Sequence, residues 1–97
     1  MSDIELPLGA ADFIKKIVAN RKRGATIAAQ QAEVGEARAD LGAAYRAVSS
    51  HVRLRRLADA IVSTGNRVLD CLERGETTDE AASALDEAAG AYRKARP

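Results

Sequence analysis

The feature that most constrains the fold is a seven-residue spacing of large aliphatic residues in two stretches of the chain. In the first stretch, intervals of seven separate Ile27, Val34, Leu41 and Val48. In the second stretch, alternating intervals of four and three separate Leu54, Ala58, Ile61, Gly65, Val68 and Leu72. Residues spaced in this way share one side of an α-helix and pack against a partner helix, as in a coiled coil. Both stretches are therefore predicted to be long helices.

The two stretches do not continue one another in phase. On one uninterrupted helix, the centre of the second seam would lie about 140° around the axis from the first. The chain is therefore expected to turn near Ser49-Ser50-His51, where a serine would cap the second helix. Helices of about 24 residues, at 25–48 and 50–74, would each span about 36 Å and pair antiparallel. The alternative is one very long helix that shows different faces to two partners.

The remaining segments also carry helix signals and no strand alternation. A first helix is predicted at about 10–23 and a last one at about 78–95, with Ala81, Leu85, Ala88 and Tyr92 on its buried side. Gly75 is suited to end the preceding helix, and Thr77 with Glu80 matches a capping box. The chain is thus predicted to be all-α and to form one small bundle over residues 10–96. Residues 1–9, with Pro7 and Gly9, are expected to form a flexible leader.

Composition predicts a thin core. Apolar residues make up 46% of the 97 residues, but 21 of them are alanine, which buries little area. A chain of this kind is expected to gain stability by self-association. We therefore expect a homo-oligomer that also binds a protein partner, with its interface on the heptad seam: Ile27, Val34, Leu41, Val48, Leu54, Ile61, Val68 and Leu72.

Charge is balanced in total and segregated along the chain. The net charge is +1, but residues 13–24 carry five basic groups and no acid, and residues 46–56 carry four arginines and no acid. Residues 57–90 carry eight acids and two arginines. This segregation fits charged interfaces or head-to-tail association at least as well as a nucleic-acid footprint.

The sequence lacks the residue groups that most enzymes and metal sites need. It has one cysteine, Cys71, and one histidine, His51, so no zinc site and no cofactor are expected. Ser49 and His51 are two residues apart and would point in different directions on a helix, which is unsuitable for a nucleophile and its base. The acids at positions 33, 36 and 40 share one helix face, which is expected to be solvated. We therefore expect a protein that is not an enzyme.

The stretch ARADLGAAYRAVSSHVRLRRL, residues 37–57, resembles a helix-turn-helix. The resemblance implies a break at Gly42, with Arg46 and Arg53 of the second helix in a DNA major groove and Arg56 near phosphates. Arg38 stands where that motif normally has a small residue, and no capping residue follows Gly42. DNA binding through residues 37–57 is therefore kept as an alternative function.

A second basic cluster precedes the first seam. Arg21, Lys22 and Arg23 lead into Gly24, and Thr26 follows at the predicted start of a helix. Unpaired N–H groups at a helix start attract anions, so a nucleotide or nucleic-acid phosphate would fit there. The competing interpretation, which we prefer, is a hydrated joint whose bases offset the dipole at the end of the first helix.

The favoured function is a non-enzymatic helical binding protein, such as a regulator, an inhibitor or an assembly factor. The chain has no apolar run near 18 residues and no apolar signal-peptide core, so a cytoplasmic protein without a membrane partner is expected.

Overall fold

The computed structural model describes residues 3–97 and consists of four α-helices preceded by a short 3₁₀ turn. The turn is Asp3–Glu5, and the helices are α1 (Leu6–Lys22), α2 (Ile27–Ala47), α3 (Val52–Arg74) and α4 (Asp79–Ala95). The part of the chain described contains no β-strand. The prediction of an all-α fold is confirmed.

The helices form a bundle in which each helix runs antiparallel to the next helix along the chain, and α4 runs antiparallel to α1. Connections at 23–26, 48–51 and 75–78 join them, and connections this short place consecutive helices side by side. Between the first helix and the last, Lys15 pairs with Asp86 and Lys22 pairs with Asp79, so one number rises as the other falls. The bundle measures 38 × 22 × 19 Å, close to the length of its longest helices.

The chain turns at Ser49-Ser50 and not at Gly42. Helix α2 passes through Gly42 without interruption and ends at Ala47. The break that the helix-turn-helix interpretation of residues 37–57 requires is therefore absent, and that interpretation is wrong. Helix α3 begins at Val52 behind His51, whose side chain makes no capping hydrogen bond, so the expected serine cap is absent too.

The heptad seam lies inside the bundle. Seven of its eight residues are buried, and only Ile27 is exposed, at 41%. Helices α1 and α4 cover the seam, joining α2 and α3 in one core through residues such as Ile14, Ile17 and Leu85. In this conformation the seven buried residues cannot contact a second protein. The expectation of an interface on the seam is therefore corrected.

The N-terminal segment is part of the fold from Asp3 onward. Helix α1 begins at Leu6, where the sequence predicted a leader through residue 9, and Pro7 and Leu8 are buried. Proline is tolerated in the first turn of a helix because its missing N–H would have had no helical partner there. Tyr92 donates a hydrogen bond from its hydroxyl to the carbonyl of Ile4 at 2.6 Å. Residues 1 and 2 of the predicted leader lie outside the described residues.

The end of α3 is as predicted, and the start of α4 is not. Gly75 adopts a left-handed conformation with φ of 70°, which suits glycine at a helix end. The residue at the N-cap position of α4 is Thr78, whereas the predicted capping box used Thr77. Thr78 is buried, and its side chain makes no capping hydrogen bond. The Thr77 hydroxyl only accepts a long bond, 3.5 Å, from the N–H of Asp79. On α4 the predicted Ala81, Leu85 and Tyr92 are buried, but Ala88 is half-buried and Ala89 is buried instead.

Candidate functional site: an arginine-rich end of the bundle

Arg21 joins three helices. Its Nε donates to Gln30 Oε1 at 2.9 Å, and its Nη2 donates to the carbonyl of Leu72 at 2.9 Å. Gln30 is 1% exposed and donates its own N–H to the carbonyl of Ile17, also at 2.9 Å. This chain of bonds satisfies a buried amide and one carbonyl at the end of α3. Arg21 is therefore held in place by the fold.

The other members of the 21–26 cluster do not converge on one point. Lys22 reaches across to Asp79 on α4, with a distance of 3.3 Å between the charged atoms. The Thr26 hydroxyl caps α2 by accepting a hydrogen bond from the N–H of Ala29 at 3.1 Å. Arg23 is exposed. The cluster behaves as a joint between helices, and the structure does not bring its four predicted residues together as a phosphate site.

Arg38 is the centre of an ion cluster that was not predicted from the sequence. Its Nη1 donates to Asn66 Oδ1 at 2.9 Å, its Nη2 to Asp70 Oδ1 at 2.7 Å, and its Nε to Glu73 Oε1 at 3.0 Å. The hydrogen bond that Arg38 donates to Glu73 raises the pKa of the Arg38 guanidinium; burial opposes the rise, and Asp70 adds to it. The available signal was the spacing of residues 66, 70 and 73, which places all three on one face of α3.

A second group of arginines lies where α3 begins and α4 ends. Val52, Arg53, Arg56, Leu57 and Ala95 line a shallow groove of about 540 Å³ there. We call these five residues the arginine end. They meet because the antiparallel arrangement of α3 and α4 brings the first turn of one beside the last turn of the other.

The arginine end combines free positive charge with exposed apolar surface. Val52 is 72% exposed, the largest exposure among the large hydrophobic residues described. Within residues 3–97, neither Arg53 nor Arg56 forms an ion pair. A charged side chain without an internal partner and an apolar side chain in water are both available to a partner.

The remaining predicted nucleic-acid contact, Arg46, does not line the groove of the arginine end. Its guanidinium folds back along α2, where Nη1 lies 3.4 Å from the position that a Cβ at Gly42 would take. The nearby Arg55 donates to the carbonyl of Ser49 in a long bond of 3.4 Å. Arg53 and Arg56 thus line one groove, and Arg46 is not among the residues that line it.

The residues considered for catalysis lie on the surface or in packing positions. The Ser49 hydroxyl donates to the carbonyl of Arg46 at 2.9 Å, and His51 is exposed. Cys71 is half-buried against the core. Among residues 3–97 there is no cluster of three or more His, Cys, Asp or Glu side chains suited to a metal ion.

Within residues 3–97, none of the helices combines the length and the apolar character that crossing a membrane requires.

Comparison with known proteins finds no matching family model, no similar curated protein and no similar solved structure.

Proposed function

We propose that the protein is a non-enzymatic binding protein that acts by occupying the surface of a protein partner, and that the arginine end makes the contact. One observation supports this most. Arg53 and Arg56, neither of which has an internal ion pair, line the same groove as the exposed side chain of Val52. Cytoplasmic location is part of the same proposal.

The chemistry of the arginine end favours an acidic partner segment that also carries an apolar side chain. Arginine is enriched in protein interfaces because its planar guanidinium binds carboxylates through two parallel hydrogen bonds. An apolar side chain of the partner would cover Val52 and remove its exposed surface from water. The groove beside Leu57 and Ala95 provides room for such a side chain.

The test is a charge reversal with a control on the same helix. Arg53→Glu/Arg56→Glu is expected to remove the partners recovered by a quantitative pull-down from the native host. Arg67→Glu/Arg74→Glu changes the net charge equally at exposed positions elsewhere on α3 and should leave recovery unchanged. Equal recovery with both double variants would show that the arginine end does not make the contact.

Nucleic-acid binding is the second candidate, supported by the same free arginines. This binding would differ from that of a helix-turn-helix, because no helix between residues 42 and 57 would enter the major groove. Only the positive charge at the surface would contact the nucleic acid. Such binding would weaken steeply with salt, since phosphate contacts release counterions. Labelled duplex DNA titrated at several salt concentrations measures this directly.

One substitution separates the two candidates. Val52→Ser removes the apolar contact and keeps both arginines, so it should weaken a protein partner and leave DNA binding unchanged. A loss of about tenfold in protein affinity corresponds to about 1.4 kcal/mol, a usual value for one well-placed interface side chain.

We propose self-association from the heptad spacing. Seven of the eight seam residues are buried inside the bundle, so copies of the chain would have to associate through surface residues. Sedimentation over a range of protein concentrations, with wild type beside Arg53→Glu/Arg56→Glu, tests whether copies of the chain meet through the arginine end.

A further inference from the structure

A cleft between α2 and α3 lies at the opposite end of the bundle from the arginine end. Its volume is about 260 Å³, and it is lined by Arg21, Ile27, Gln31, Val34, Gly35, Arg38, Leu72 and Glu73. Sites for drug-sized ligands begin at about 300 Å³, so a ligand of this cleft must be smaller.

The floor of the cleft is apolar, and glycine keeps it open. Val34 and Leu72 form buried surface, whereas Ile27 projects with 41% of its area exposed. A Cβ at Gly35 would meet nothing within 4 Å, so the glycine is not required by packing inside the chain. Glycine in a helix interior costs about 1 kcal/mol relative to alanine. The empty space beside Gly35 and the exposed Ile27 together leave a recess that a small aliphatic group would fill.

On the rim of the cleft, Arg21 has a donor group and Glu73 an acceptor atom that bind nothing within residues 3–97, and the amide of Gln31 is also without a partner there. Arg21 uses Nε and Nη2 for its bonds to the protein, which fixes the guanidinium and leaves Nη1. Glu73 receives both bonds from Arg38 on Oε1, which leaves Oε2. A fixed guanidinium suits a carboxylate, and a carboxylate oxygen suits an ammonium group.

We propose that this cleft binds an aliphatic α-amino acid. The ligand carboxylate would bind Arg21, its ammonium group would bind Glu73, and its side chain would lie against Ile27 and Leu72 beside Gly35. A zwitterion fits better than an ion of either sign, because the positive charges of Arg21 and Arg38 are balanced by Asp70 and Glu73. The proposal does not depend on the arginine end or on its partner.

The test uses L-leucine as the probe and methyl NMR of Ile27, Val34 and Leu72 as the readout. Two analogues, 4-methylpentanoate and isoamylamine, keep the alkyl chain and lack the ammonium and the carboxylate respectively. Each is expected to bind at least about tenfold more weakly than leucine, because each leaves one hydrogen-bonding group of the rim, Arg21 Nη1 or Glu73 Oε2, without a ligand partner. A ligand of this size is expected to bind in the millimolar range.

Gly35→Leu fills the recess and is expected to abolish binding of L-leucine. Gly90→Leu is the matched control, because Gly90 is a helical glycine on α4 that also has nothing within 4 Å of a Cβ. Circular dichroism establishes that both variants are folded. The proposal is overturned if L-leucine shifts no methyl signal of the cleft, if either analogue binds as tightly as leucine, or if Gly35→Leu binds leucine as wild type does.

Discussion

Gly65 on α3 lies so close to Leu41 on α2 that a Cβ on the glycine would be 3.0 Å from Leu41 Cδ1. The same atom would be 3.1 Å from Cδ1 of Ile14, on α1. Three helices therefore converge on a residue without a side chain. This explains why a glycine occupies a position of the second heptad seam.

Gly65→Ala is expected to lower the free energy of unfolding by about 1 kcal/mol. Leu41 is 1% exposed and Ile14 is 0% exposed, so neither can move aside without disturbing the core. Overpacking of this kind typically costs about 1–3 kcal/mol, which exceeds the gain of about 1 kcal/mol from the higher helix propensity of alanine. Urea denaturation measures the difference, and a stabilised variant would show that the three helices can separate.

Gly35→Ala is expected to have the opposite effect and raise the free energy of unfolding by about 0.5–1 kcal/mol. The substitution has the same chemistry, but here the added methyl group meets open space. The gain comes from helix propensity and from the lower entropy of the unfolded chain. Thermal and urea denaturation should agree, and no gain would imply that the backbone of α2 is strained at this point.

Arg21→Ala is expected to destabilise the protein by about 1–3 kcal/mol. It removes the donor to the buried Oε1 of Gln30 and the bond to the carbonyl of Leu72, and an unsatisfied buried acceptor costs about that much. Arg23→Ala removes the same charge from an exposed neighbour and should change stability by less than about 0.5 kcal/mol. Equal effects would contradict the structural role given to Arg21.

The pair formed by Arg38 and Glu73 is expected to contribute a coupling of about 0.5–1 kcal/mol. The two side chains are 34% and 50% exposed, so solvent screens their attraction and the value stays near that of surface ion pairs. A double-mutant cycle with Arg38→Ala and Glu73→Ala measures the coupling. Repeating the cycle at high salt should reduce it, and an unchanged value would indicate that hydrogen-bond geometry dominates over charge.

Tyr92→Phe is expected to lower the free energy of unfolding by about 1 kcal/mol at neutral pH, because the carbonyl of Ile4 loses its hydrogen-bond donor. Burial raises the pKa of the Tyr92 hydroxyl above its ordinary value of 10.0, with Glu5 adding to the rise and Arg96 opposing it. The folded state therefore holds this proton more tightly than the unfolded state. The resulting stabilisation is complete below pH 10.0 and is lost as the pH rises through the raised pKa of the folded state.

Denaturation curves at rising pH measure this loss. The difference in unfolding free energy between wild type and Tyr92→Phe should shrink above pH 10.0. A constant difference would contradict the raised pKa, since all other titrating groups are common to both proteins.

The helices and their turn were predictable because they depend on local spacing. The intervals of seven and the phase difference between the seams identified two long helices and a turn at Ser49-Ser50. What covers a seam is not a local property. The same spacing suits a partner chain or a helix of the same chain, and here residues of α1 and α4 complete one core with the buried residues of the seam.

The start of α1 and the charged contacts were missed for a similar reason. Pro7 and Gly9 have low helix propensity, which argues against a helix there. The bundle buries Pro7 and Leu8, and this tertiary packing outweighs the low propensity. The bonds of Arg38 join positions 28 to 35 residues apart, so no short window of sequence contains them. The arginine end is likewise made by the end of α4 meeting the start of α3.

The bond between Tyr92 and Ile4 joins residues 88 positions apart in the chain, and Arg96 pairs with Glu5 beside it. Both ends of the described chain are thus anchored at the same place. A short linker from residue 97 to residue 3 would need to span little distance, and the exposed connection at 75–77 offers a place to open the chain. The bundle is therefore suited to circular permutation, with new termini far from the arginine end.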